Sequence, residues 1–323
     1  MKIADLHCDL LSYLQEQPGR TANDPQSHAS IPQLRKGGVV LQTLAIFTIT
    51  KPGSSKIGEE QFQIFKTLPQ KYGTAFSKEI FPLLAIENAS GFCADDETIE
   101  AGLKRIERWW KEAGTIGYIS FTWNDENRFG GGNASKAGMK PDGLSLLRWM
   151  DGKNIAIDLS HTSDALAHDI LNAIDKYHLK INPIASHSNF RKVMDHPRNL
   201  IDEIAKEIIR RKGVLGINFL RMFVGTRGPD DFLLHIEHAD KLGGLNHLSF
   251  GADFFNEADA PSELDYLKPF FYEGYDNSSC YPKILNLFRK HLSEEQIEKI
   301  AFRNLLQFLK PLFEKLRPFN LGQ

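Results

Sequence analysis

The chain is short of cysteine and of long apolar runs, and both shortages restrict what it can be. Cys8, Cys93 and Cys280 are the three thiols among 323 residues, an odd number with no Cys-x-x-Cys spacing. Neither a disulfide framework nor a zinc ribbon follows from such a set. No run of ~18 apolar residues is present that could span a bilayer. The first apolar run starts at Lys2, which leaves no room for a signal peptide, and a cytoplasmic protein is the expectation. Charge of one sign is also lacking: 39 basic against 41 acidic residues give a net charge of −2, and no Lys/Arg run stands out. That balance offers no global attraction for nucleic acid or an anionic membrane. Internal repeats and low-complexity linkers are missing, and no Gly-x-Gly-x-x-Gly follows the first apolar run, which weakens a dinucleotide-binding reading.

What is there is a series of eight short runs rich in Ile, Leu, Val and Phe: Lys2–Leu10, Val39–Thr48, Ile80–Ile86, Ile116–Thr122, Ile155–Ser160, Ile181–Ser186, Gly213–Phe219 and Leu248–Ala252. Stretches with helical spacing lie between most of them, at Glu59–Leu68, Asp96–Glu112, Gly143–Met150, Ser163–Tyr177, Leu200–Arg211 and Pro229–Leu242. Alternation of strand and helix predicts an α/β protein with a parallel sheet, and the absence of strict polar alternation fits strands buried on both faces. The likeliest loops by composition are Gln17–Pro32, Asn124–Pro141 and Asn256–Tyr281, the last following the eighth strand where a lid would sit. Pro282–His291 and Ser293–Leu309 read as closing helices, the second opened by a Ser293/Gln296 capping box.

Polar residues end five of these runs. His7 and Asp9, Glu87, His161, His187 and Asp253 each stand where a strand would stop. An open sheet concentrates its site at one switch point, whereas a barrel collects residues from many strand ends. The distribution therefore predicts a (β/α)8 TIM barrel of the metal-dependent hydrolase type, a single domain over residues 1–323 with C-terminal closing helices. A hydrophobic fraction of 41% is enough for its core.

Taken singly, each polar residue has an ordinary explanation. His161 and His187 could be capping histidines, Glu87 and Asp253 rim salt bridges, and His-x-Asp is a weak motif. Gathered at one end of a barrel, three carboxylates would repel one another without divalent metal to neutralise them. Imidazole and carboxylate ligands without thiolate suit Zn²⁺, with Mn²⁺ or Co²⁺ as alternatives, and two ions can share a bridging carboxylate. Two such ions lower the pKa of a water and polarise a carbonyl, so the chemistry expected is hydrolysis.

The motifs Asp5-Leu6-His7-Cys8-Asp9, Ile86-Glu87, Ile157-Asp158-Leu159-Ser160-His161, Ser186-His187-Ser188, Arg198-Asn199-Leu200 and Gly251-Ala252-Asp253-Phe254 together resemble the membrane (renal) dipeptidase family, in chain order through Asn304-Leu305-Leu306. The resemblance implies a two-zinc barrel hydrolysing dipeptides and tolerating a D-residue at the C-terminal position. It implies that His7 and Asp9 bind one zinc, His161 and His187 the other, and that Glu87 bridges them. Asp253 would serve the bridging water and the substrate amino group, and Arg198 the substrate carboxylate. Trp123 stands where renal-type members carry a histidine thought to stabilise the tetrahedral intermediate; an indole donates one neutral hydrogen bond and cannot become cationic. Its other reading is a packing residue. The expected partner is a small dipeptide, with no nucleic acid and no membrane; a homodimer stays open. A metal-dependent N-acyl amino acid amidohydrolase on the same barrel is the alternative.

Overall fold

In a computed structural model, described here for residues 1–313, eight parallel strands surround one axis. They are β1 (Ile3–Cys8), β2 (Val39–Phe47), β3 (Phe81–Glu87), β4 (Tyr118–Ser120), β5 (Ala156–Asp158), β6 (Pro183–Ile184), β7 (Leu215–Ile217) and β8 (Leu248–Phe250). Neighbours run in the order β6-β5-β4-β3-β2-β1-β8-β7. A parallel bridge between Ala185 and Leu215 joins the two ends of that order, so the sheet closes as a (β/α)8 TIM barrel.

Two apolar layers hold it. The inner one is built from strand residues such as Leu6, Leu41, Leu83, Ala85, Tyr118 and Ile184, and its lower end is packed by Phe302, Leu305 and Leu309 of the closing segment. The outer layer seats the helices on the strands, as with Ile106 and Trp109 of the helix Ile99–Ala113 and Ile170 and Ile174 of Asp164–Tyr177. Among the described residues no helix is long and apolar enough to cross a membrane.

Several expected elements shift. The fifth and sixth runs stop as strands at Asp158 and Ile184, because Ser160 and Ser186 turn their backbone N–H groups onto the Asp158 carboxylate instead of continuing the ladder. Leu10 does not end β1; Leu10 and Leu11 open an unexpected helix, Leu10–Glu16, that buries both. Part of the predicted loop Gln17–Pro32 is also helical: Ser30 and Gln33 form a capping box and Pro32 lies in the first turn of Ile31–Gly37. The helix predicted at Glu59–Leu68 extends over Ser54–Lys71. The final predicted helix divides into Glu294–Glu298, a wider turn at Lys299–Arg303, and Asn304–Phe313, although the Ser293/Gln296 cap is formed as expected. Residues 314–323 of the expected domain lie outside the described residues.

Two features aim the strand ends inward. The register of β1 against β2 is irregular between Asp5 and Cys8, a bulge that brings His7 to the barrel mouth while Leu6 stays in the inner layer. His161 and Asp253 adopt left-handed backbone conformations, φ 65° at each, just beyond β5 and β8. Such conformations cost roughly 1–3 kcal/mol each and persist where the surroundings impose them.

Gly251, like Gly216, packs directly on the backbone after β6. A Cβ at Gly251 would lie 1.9 Å from the Ser186 carbonyl oxygen and 3.1 Å from the His187 Cα. Backbone cannot yield there as a side chain would. Gly251→Ala should therefore destabilise the fold by at least the ~1–3 kcal/mol of an overpacked core and displace His187. Thermal or urea unfolding checks this, and a wild-type midpoint would contradict it.

Candidate metal centre

The strand ends converge at one mouth of the barrel. His7 lies within β1 and Asp9 follows it; Glu87 is the last residue of β3; His161, His187 and Asp253 each stand three residues beyond β5, β6 and β8. Glu87 is central, and its two oxygens face opposite ways. Oε2 lies 3.1 Å from His7 Nε2, while Oε1 lies 3.0 Å from His161 Nε2 and 3.4 Å from His187 Nε2. On the Oε2 side, Asp9 Oδ1 and Asp253 Oδ1 stand 3.7 and 3.6 Å from His7 Nε2. His7, Asp9 and Asp253 form one group able to hold an ion, and His7, Glu87 and His187 another, each with its ligand atoms within 4.8 Å of one another.

Hydrogen bonds behind each ring fix which nitrogen carries the proton. Tyr118 donates its hydroxyl to the Leu6 carbonyl, 3.1 Å, so its oxygen accepts from His7 Nδ1–H at 2.6 Å. Ser186 likewise donates to Asp158, 2.7 Å, and accepts from His187 Nδ1–H at 2.6 Å. His161 Nδ1 donates to the Asn124 side-chain oxygen, 2.9 Å. In the neutral tautomers all three Nε2 atoms are therefore bare lone pairs turned toward Glu87. Those of His161 and His187 face each other at 3.0 Å. His7 Nε2 and Asp9 Oδ1 are buried without any hydrogen bond.

Lone pairs and carboxylate oxygens pointed at one another repel. Two like charges 4 Å apart at an effective dielectric of ~20 oppose each other by about 4 kcal/mol, more than the ~1 kcal/mol of an ordinary hydrogen bond. The protonation energetics show the strain. Burial, opposed by His7 and Arg198 but reinforced by Asp9 and Glu87, pushes the Asp253 carboxyl up to about 8. Burial works against Glu87 too, but three imidazoles hold it well below the usual carboxylate range. Burial and the Arg198 charge push His161 down to about 4, and burial with the charges of His7 and Arg198 sets His187 well below its ordinary value. At His7 burial is outweighed by Tyr118, Glu87 and Asp9, and proton affinity rises. Without metal, His7 and Asp253 favour their protonated forms, and a divalent ion takes the place of those protons, since it binds neutral imidazole and ionised carboxylate. The donor set thus fits divalent metal, with N and O ligands and no thiolate, since Cys8 is packed in the core.

The structure brings the six residues of the sequence reading together at one mouth of the barrel, and behind them stand groups that reading left out. Asp158 accepts four hydrogen bonds, from the Ser120 and Ser186 hydroxyls and the Ser160 and Ser186 backbone. Tyr118 and Asn218 were also passed over; the Asn218 amide donates to Asp253 Oδ2, 2.9 Å, and to the His187 carbonyl, 3.2 Å. An aspartate inside an otherwise apolar strand was the available signal.

Above this cluster opens a cavity of about 560 Å³, lined in part by Asp9, Glu87, Trp123, His161, Arg198 and Asp253. The Arg198 guanidinium is buried, donating to the Ser188 hydroxyl at 2.6 Å and the His187 carbonyl at 2.9 Å, while its Nε–H has no partner. No carboxylate pairs with it among the described residues. Trp123 packs edge-on against Phe47, centroids 5.4 Å apart, and lies 6.1 Å from the His161 ring.

Residues 1–316 match the family described as membrane dipeptidase, peptidase family M19. The chain belongs to the membrane dipeptidase family. As a member it is a metal-dependent hydrolase of the metallopeptidase class. It is 26% identical over 345 residues to an uncharacterized dipeptidase of Schizosaccharomyces pombe, spanning 95% of this chain and 80% of that one. A second uncharacterized dipeptidase of that yeast is 28% identical over 225 residues, 64% of this chain but 50% of the relative, so the match spans half of that protein. The fold is similar to that of a metallopeptidase from Rhodobacter sphaeroides solved with a phosphinate mimic of L-Ala-D-Ala, with a TM-score of 0.78 at 18% identity over 96% and 99% of the two chains.

The Tyr118 contact has a measurable consequence. Tyr118→Phe removes the acceptor for His7 Nδ1–H and should lower metal affinity by roughly 10–100-fold, the usual effect of losing such a partner. Chelator competition reads this directly. Affinity equal to wild type in a folded variant would contradict the tautomer argument.

Proposed function

We propose that the protein is a binuclear zinc dipeptidase, one barrel domain over its whole length. The observation that carries this reading is the division of Glu87, one oxygen toward His7 and the other toward His161 and His187. In this reading His7 and Asp9 would hold one ion, His161 and His187 the second, and Glu87 would be shared between them, with Mn²⁺ or Co²⁺ as substitutes for Zn²⁺. Bound there, two ions would supply a water of lowered pKa and polarise the scissile carbonyl.

The chain's own residues supply orientation and proton handling. Arg198 receives the substrate carboxylate: a guanidinium buried without a carboxylate partner and with a free N–H is suited to a bidentate anion. Asp253 has Oδ2 engaged by Asn218, which leaves Oδ1, once bound metal keeps the carboxyl ionised, to accept a proton from the attacking water and pass it to the leaving amine. The same acidic end, with Asp9, meets the substrate ammonium. Trp123 acts as a wall of the cavity, since its indole nitrogen makes no hydrogen bond among the described residues and its ring packs on Phe47. No histidine is then present at that position to stabilise charge on the carbonyl oxygen.

An N-acyl amino acid amidohydrolase would use Arg198 equally well. The acidic end of the cavity favours the dipeptidase, because an acylated nitrogen brings no charge for Asp9 and Asp253 to receive. A panel of L,L and L,D dipeptides with N-acetylated controls separates the two. Free dipeptides of both kinds should be cleaved and their N-acetyl forms resisted, and Arg198→Lys should raise KM roughly 10–100-fold with metal content intact. Faster hydrolysis of the acetylated controls would overturn the assignment, and an unchanged KM would remove Arg198 from it.

A further inference from the structure

The cavity is not uniform in its chemistry. Asp9 and Asp253 line it, and so does Phe223, whose ring centroid stands 5.8 Å from the guanidinium carbon of Arg198. Leu220 and Met222 line the cavity beside Phe223, in the turn and short helix that follow β7. Leu264, Leu267 and Phe270 line it from the segment that follows β8.

That second wall is tied in place on three sides. The Arg221 backbone N–H donates to the Phe270 carbonyl at 2.9 Å, and the Tyr272 hydroxyl donates to the Gly225 carbonyl at 2.7 Å. Phe270 also packs edge-on against Phe255, centroids 5.3 Å apart. At the far end of the segment Arg20 clasps Asp259 through two hydrogen bonds of 2.6 and 2.7 Å, with its guanidinium 4.3 Å from the Tyr13 ring centre. The two apolar walls are therefore built before any substrate arrives, and little ordering entropy remains to oppose binding.

A dipeptide's C-terminal side chain and its carboxylate leave the same carbon. With the carboxylate on Arg198, that side chain emerges beside Phe223. A charged side chain there would lose its hydration and meet only the His196 imidazole, 4.8 Å between ring centroids from Phe223 and lowered in proton affinity by burial and the Arg198 charge, whereas an apolar one is withdrawn from water against the Leu, Met and Phe side chains. We propose that the site selects dipeptides whose C-terminal residue is bulky and apolar, of the Leu, Met or Phe class, seated against the apolar lining that Leu220, Met222 and Phe223 form with Leu264, Leu267 and Phe270. This rests on the dipeptidase reading and on Arg198 as the carboxylate receptor.

The test compares kcat/KM of the metal-loaded protein on Ala-Leu, Ala-Phe, Ala-Ala, Ala-Asp and Ala-Lys, with Leu-Ala and Phe-Ala as the reversed series. Ala-Leu and Ala-Phe should exceed Ala-Ala by roughly 10-fold or more, and Ala-Asp and Ala-Lys by a wider margin, with a smaller spread in the reversed series. Met222→Glu, and separately Leu264→Glu in the segment after β8, should each narrow the Ala-Leu to Ala-Lys ratio by about 10-fold. Both positions are only half-buried, so a folded variant is expected from at least one. A flat ranking over C-terminal side chains, a preference for charged ones, or a dominant preference in the reversed series overturns the proposal while leaving the dipeptidase reading intact. Failure to cleave any dipeptide with metal bound overturns that reading, and this proposal with it.

Discussion

The mouth of this barrel is organised by one constraint: three imidazole nitrogens with bare lone pairs are turned on a single buried carboxylate. Neither hydrogen bonding nor solvent relieves that arrangement, since His7 Nε2 and Asp9 Oδ1 are buried and unpartnered. A positive charge between them does relieve it. Strain at His161 and Asp253, the bulge in β1 and the missing Cβ of Gly251 all serve to bring these side chains to this point.

The supporting contacts work by fixing tautomers. Tyr118 and Ser186 each have one hydroxyl proton, and each gives it to an oxygen that can only accept, the Leu6 carbonyl and the Asp158 carboxylate. What remains for His7 and His187 is an oxygen that accepts, so their protons sit on Nδ1. Asp158 thereby links β4, β5 and β6 to the protonation state of one ligand, which joins the stability of the barrel to the chemistry at its mouth.

Much of this was legible in the sequence. Eight apolar runs gave eight strands, and the residues ending them meet because closing a parallel barrel brings strand ends together. Periodicity could not see where polar side chains capture the backbone: the run Ile181–Ser186 keeps only Pro183–Ile184 as strand because Asp158 takes the Ser186 N–H. It also could not tell Leu10 and Leu11 as the end of a strand from the start of a helix, a known ambiguity of short apolar runs. Tyr118, Ser186 and Asn218 escaped notice because their roles depend on what the barrel places opposite them. The apolar walls beside Arg198 were invisible for the same reason, coming from segments that follow two different strands.

The central claim is that Glu87 lies between two metal ions. Crystals of the metal-loaded protein, measured on both sides of the zinc absorption edge, place each ion independently of the protein's own scattering. The account predicts two anomalous peaks ~3.5–4 Å apart with one Glu87 oxygen directed at each. A single peak, or two peaks that Glu87 does not join, would contradict it.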